Sequence, residues 1–145
     1  MDPMLLATPD ETQIRDALAT WPELAEARIK PLLVTAFGDI FVETNSGEVW
    51  VASPVYLEFE RVAGSVSDFE RLFADQEWTD MRLLTGLAMR AQREGLQREP
   101  DQVFAIAPHP RFTDSPMDGK LVPMTLRIWH HMAAQMRPAA QASSE

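Results

Sequence analysis

The chain contains no cysteine. That excludes disulfides, thiolate metal sites and thiol catalysis. No apolar run approaches the roughly 20 residues that a membrane-spanning helix needs. The first ten residues lack a basic start and hold only the short apolar patch Met4-Leu5-Leu6-Ala7, so they do not read as a secretory signal, and a cytoplasmic location is expected. There is no G-x-S-x-G elbow, no Walker P-loop and no G-x-G-x-x-G fingerprint, so no serine-hydrolase or phosphate-cradling motif is visible. Basic patches interleaved with aromatics are also missing, which argues against nucleic-acid binding. Only three histidines are present: His109, His130 and His131. The last two are neighbours on an expected helix and point about 100° apart, so they cannot chelate one ion as an i,i+4 pair does.

What the chain does have is acid. Over 145 residues its formal net charge is −9, and the excess is concentrated early. Residues 1–62 carry eleven acids against four bases, whereas residues 100–145 carry four of each. Such a chain repels nucleic acid and anionic membranes, because both require Lys and Arg to neutralise phosphate. The same field attracts a cationic protein and speeds its encounter.

The apolar patterning predicts a single α+β domain in which an antiparallel meander packs against several helices. Thr8-Pro9-Asp10-Glu11 reads as a helix start, with Thr8 as cap and Glu11 closing a capping box. Leu24 to Ile29 suggests a further helical turn. From Leu32 the period changes. Strands are expected over 32–37, 40–44, 48–52 and 55–62, with Asn45-Ser46-Gly47 as a hairpin turn. A two-residue loop there puts Trp50 opposite Phe41; a three-residue loop puts it opposite Val42. Ser67 and Glu70 form a second capping box. One helix is then expected from Thr79 to Glu94, closed by Gly95-Leu96 in a Schellman motif. A strand over 102–107, a loop to Gly119, a short extended segment and a last helix from Thr125 to Met136 complete the chain. The resulting organisation is a helical segment over 1–31, an α+β domain over 32–137 and a disordered tail over 138–145.

The stretch from Leu33 to Leu72 resembles a bacterial family. The matching residues are Ala36-Phe37-Gly38-Asp39-Ile40-Phe41, Gly47-Glu48-Val49-Trp50, Ser65, Phe69-Glu70-Arg71-Leu72 and Asp75. Gly95-Leu96, the strand and proline-containing loop from Val103 to Pro110, and Ala134-Gln135 continue the likeness. The chain is similar to the C-terminal domain of type VI secretion immunity proteins, the cognate inhibitors of secreted DNase toxins. It departs from that family in having Pro108-His109-Pro110-Arg111-Phe112 where a glycine pair is usual, and one or two helices in place of a larger N-terminal module.

The resemblance implies a non-catalytic protein-binding domain that neutralises a basic toxin. A nuclease must carry a cationic groove, so an acidic inhibitor complements it. Tryptophan and tyrosine serve as interface anchors. The expected partner-binding residues are therefore Glu43, Glu48, Trp50, Tyr56, Glu58 and Glu60. Strand alternation puts Tyr56, Glu58 and Glu60 on one face and Val55, Leu57 and Phe59 on the other. No catalytic residue, cofactor or metal is expected. An adaptor or regulatory domain of the same fold is the alternative.

Overall fold

The computed structural model describes residues 3–24 and 28–137. The expected tail over 138–145 and part of the turn expected over Leu24–Ile29 lie outside the described residues. The elements are α1 (Glu11–Leu18), β1 (Lys30–Val34), β2 (Ile40–Glu43), β3 (Val49–Ser53), β4 (Glu58–Ala63), α2 (Val66–Leu72), α3 (Gln76–Arg82), α4 (Thr85–Arg93), β5 (Gln102–Ala107), β6 (Lys120–Thr125) and α5 (Leu126–Met136). Strands β1 to β4 form an antiparallel sheet in sequence order, and β5 and β6 form a separate hairpin. This is an α+β fold. Among the described residues, no helix is long and apolar enough to cross a membrane.

Both faces of the four-stranded sheet are covered, which explains why β2 and β3 are buried almost throughout instead of alternating. One face presents Phe41, Val49 and Val51 to Phe69, Leu83 and Leu87 of the α2–α4 helices. The other presents Ile40, Val42 and Ala52 to Leu18, Trp21, Leu126 and Trp129. The N-terminal segment enters both cores: Leu5 packs in the first and Trp21 in the second. It is also tied to the sheet by the Leu6–Thr35 bridge and by Ala7 N–H donating to Val34 O at 2.9 Å. The hairpin of β5 and β6 is joined through Phe104 N–H, which donates to Ala36 O at 2.8 Å.

The centre of the molecule is the turn Ala36-Phe37-Gly38-Asp39 between β1 and β2. The strand expected over 32–37 ends at Val34, because Gly38 has φ = 92° and reverses the chain. The Thr35 hydroxyl accepts from Asp39 N–H at 3.1 Å and closes the turn. The Phe37 and Gly38 carbonyls then face α5. Trp129 Nε1–H donates to Phe37 O at 2.9 Å and His130 Nε2–H to Gly38 O at 2.7 Å. The other ring nitrogen of His130 accepts from Trp21 Nε1–H at 2.9 Å. These contacts fix the neutral, Nε2-protonated imidazole. They also join α5, the turn and the N-terminal segment in one buried chain of hydrogen bonds.

Several boundaries differ from expectation, each for a local reason. Asp10, not Thr8, caps α1, its carboxylate accepting from Gln13 N–H at 2.8 Å. Ser65, not Ser67, caps α2, accepting from Asp68 N–H at 3.1 Å. The helix expected over 79–94 is two helices. Leu84 adopts φ = 54° between them, just before the weak helix formers Thr85 and Gly86. The strand expected from Val55 starts at Glu58, because Pro54 to Leu57 form a turn in which Leu57 is left-handed at φ = 57°. Thr125 occupies the cap position of α5, but its hydroxyl is buried without a partner. The Schellman motif is present as expected: Gly95 has φ = 69°, and Leu96 N–H donates to Ala91 O at 3.0 Å.

A Cβ at Gly38 would sit 2.7 Å from Trp129 Cδ1, whereas one at Gly47 (φ = 85°) would meet nothing within 4 Å. Both substitutions strain the backbone, but only the first collides with a packed ring. Gly47→Ala is expected to cost about 1 kcal/mol and Gly38→Ala at least about 2 kcal/mol more, read from urea unfolding midpoints. Equal losses would show that the contact with Trp129 is not a constraint.

Candidate protein-binding site

The hairpin of β2 and β3 pairs Val42 with Trp50 and Glu43 with Val49, the register of the three-residue loop. This decides where the expected site residues lie. Trp50 shares a face with Val42 and Arg61, and its ring stacks on Phe59 at 5.1 Å in the α1/α5 core. Glu60 lies opposite Val51 and Glu58 opposite Ser53, on the other face. Trp50 therefore does not join Glu58 and Glu60.

Glu48 belongs with Trp50. It accepts from Trp50 Nε1–H at 3.2 Å and from Arg61 Nε at 2.9 Å. Those two donors hold its carboxyl below the usual range. Its charge is already answered within the molecule. Glu43 lies apart from both groups, in a shallow groove with Arg28 and Lys30.

The remaining three residues converge. Tyr56 sits in the Pro54–Leu57 turn, not in the strand, with its N–H donating to Ser53 Oγ at 3.1 Å, and the residue is 41% exposed. Glu58 and Glu60 follow on β4. Behind them lies Asp39, which is only 1% exposed. Arg82, at the end of α3, reaches in from the side. It bonds Glu60 Oε1 at 2.9 Å and pairs with Asp39 Oδ2 at 3.5 Å. Two carboxylates thus share one guanidinium, with Glu58 close enough to feel its charge. Asp39 Oδ1 and Arg82 Nε are buried and lack hydrogen-bond partners among the described residues.

The electrostatics follow from this shortage of cation. Burial raises the Asp39 carboxyl to about 6, against the pull of Arg82 and of the nearby Ser53 hydroxyl, while Glu60 and Glu58 push it further up. Glu58 is raised by burial and then by Glu60, with Arg82 opposing. The Tyr56 hydroxyl is raised by burial and by Asp39.

Beside these residues opens a cleft of about 380 Å³. Val55, Tyr56 and Glu58 line one wall; His109, Arg111 and Asp114 are on the other. His109 fastens the walls together. Its Nδ1 accepts from Arg111 N–H at 2.9 Å, which leaves Nε2–H to donate to Pro54 O at 2.7 Å. Burial lowers its proton affinity, with the Pro54 carbonyl opposing. Among the described residues, no group of three or more His, Asp or Glu side chains could hold a metal ion.

Asp39, Arg82, His109 and Asp114 were not among the expected site residues. Asp39 lies inside the Phe-Gly-Asp element, where Gly38 explained the motif as a bend. Nothing in the spacing links it to Arg82, 43 residues onward. No protein-family model matches the chain, and no curated protein matches it.

Asp39 and His130 flank the same turn and titrate in opposite senses. Asp39 binds its proton more tightly in the fold, so its contribution is fully present below its ordinary value of 3.8 and is lost as pH rises through about 6. Burial lowers His130 to about 4, with the Gly38 carbonyl opposing, so its contribution is present above 6.5 and is lost as pH falls through about 4. Each shift is worth roughly 3 kcal/mol across its window. Urea unfolding from pH 4 to 7 is expected to separate them. The stability difference, parent minus Asp39→Asn, should shrink as pH rises, and parent minus His130→Gln should grow. Parallel profiles would refute the assignment.

Proposed function

We propose that this chain is a non-catalytic protein-binding domain that acts stoichiometrically, as an immunity protein covering the basic surface of a type VI secretion toxin, such as a DNase. The observation that carries the reading is that one guanidinium, Arg82, is divided between Asp39 and Glu60, with Glu58 and exposed Tyr56 beside them. One guanidinium leaves that surface with uncompensated negative charge, at the mouth of a cleft with room for an incoming side chain. A cationic partner relieves the repulsion between Glu58 and Glu60, so part of the binding energy is stored in the free protein as electrostatic tension. The aromatic ring of Tyr56 supplies rigid contact area beside the charges.

The resemblance adds to this reading in one respect. Its Ala36–Phe41 element forms the turn that carries Asp39 beneath the acidic surface, so the family-like residues position the proposed site from below. Their role is structural, and the binding surface is made by the less motif-like β4 edge.

Affinity purification from the native cell with mass spectrometry is expected to return a basic nuclease, and loss of this chain alone should be toxic to that cell. Association should slow steeply with added salt. Glu58→Gln combined with Glu60→Gln should weaken binding by about ten- to a hundredfold, mostly as a slower on-rate. Salt-insensitive binding would remove the electrostatic mechanism. A non-toxin partner, with harmless deletion, would replace the immunity role by an adaptor one.

A further inference from the structure

The cleft beside Tyr56 is more than the border of an acidic surface. Its walls belong to segments far apart in sequence, the 54–58 turn and the 109–116 segment, held together by the His109–Pro54 hydrogen bond. A carboxylate stands on each wall: Glu58 on one, Asp114 on the other. Both are exposed, and neither forms an ion pair among the described residues.

Two cations lie near, and neither forms an ion pair with Glu58 or Asp114 among the described residues. Arg82 is 13% exposed and is divided between Asp39 and Glu60. Arg111 lines the cleft, but its guanidinium donates to Met136 O and lies over the Phe112 ring at 5.6 Å. Behind the Glu58 wall is a further acid, Asp39, whose buried Oδ1 has no hydrogen-bond partner among the described residues. The cleft therefore carries an acid on each wall and is flanked by a half-exposed phenol ring.

We propose that this cleft receives one arginine side chain of a partner protein, with the guanidinium between Glu58 and Asp114 and its plane against the Tyr56 ring. Arginine suits the site better than lysine. Its planar fork bonds a carboxylate on each side at once, and its weakly hydrated face stacks on an aromatic ring. A lysine ammonium is a strongly hydrated point charge and gains less from the ring. A volume of about 380 Å³ leaves room for backbone on either side of the inserted residue, as an exposed loop would present it. The inference rests on the protein-binding reading and names the chemical group recognised.

The test needs no identified partner. The full chain, labelled with ¹⁵N, is titrated with the capped tripeptide Gly-Arg-Gly and with its neutral isostere Gly-citrulline-Gly. Saturable shifts are expected at residues 54–58 and 109–116 with the arginine peptide, and binding at least about tenfold weaker with citrulline. A Gly-Lys-Gly peptide should fall between them. Glu58→Gln, Asp114→Asn and Tyr56→Leu should each weaken the arginine peptide by about three- to tenfold while leaving distant resonances in place. Absence of saturation, equal binding of arginine and citrulline, or shifts scattered over the acidic surface would overturn the proposal. Binding of the peptide here without capture of any basic partner would sink the immunity reading and leave this site standing. A captured toxin whose affinity is unchanged by Glu58→Gln with Asp114→Asn would do the reverse.

Discussion

Two adjacent carbonyls, those of Phe37 and Gly38, have to be satisfied in the interior, and the rest of the molecule is arranged around that requirement. A buried carbonyl without a donor costs about 1–3 kcal/mol. Trp129 and His130, successive residues of the last helix, supply the two donors. Adjacent helical side chains diverge, so they can serve two acceptors on a turn that itself changes direction at Gly38. The left-handed glycine, the ring packed against it and the fixed imidazole tautomer are thus parts of one constraint. Trp21 extends it to the N-terminal segment. Asp39 leaves the turn in the direction that its backbone bond to Thr35 sets, and that is why an acid ends up beneath β4.

The acid is costly where it lies. Arg82 offsets the burial of Asp39 only in part, since the same guanidinium also holds Glu60. A core built for stability alone favours apolar residues of similar volume over such a group. Under the proposed protein-binding role the expense is offset when a partner neutralises this surface, since incompletely paired carboxylates add to the gain on binding. By contrast, Glu48 is fully engaged by Trp50 and Arg61 and has little left to offer. Counting acids along the sequence treats the two as equals; their hydrogen bonds distinguish them.

The α+β architecture was legible because period-two runs gave way to period-3.6 runs at clear breaks, and because Gly95-Leu96 is a strong helix stop. Boundaries slipped where two local signals competed. Asp10 outdid Thr8 and Ser65 outdid Ser67, since a cap is chosen by where the first buried turn must begin. The kink at Leu84 had only Thr85-Gly86 to announce it. The Pro54–Leu57 turn was hidden by alternation that continued through it, because Leu57 takes up a left-handed conformation that its residue type does not advertise. Of the site, Tyr56, Glu58 and Glu60 could be named from charge and alternation. Trp50 could be assigned to neither face until the hairpin register was known. Asp39, Arg82, His109 and Asp114 come together only through long-range packing, which single-sequence periodicity does not encode.

The hydrogen bonds that complete the central turn connect residues 92 positions apart, and the Trp21–His130 bond spans 109. Helix α5 follows the meander and the N-terminal segment in sequence and leaves the ribosome after them. Until it does, the meander and the N-terminal segment lack the donors that close their shared core. The domain consequently closes its core only after α5 has been made. Loop closure over such separations precedes these bonds and slows that step relative to the local pairing of the meander.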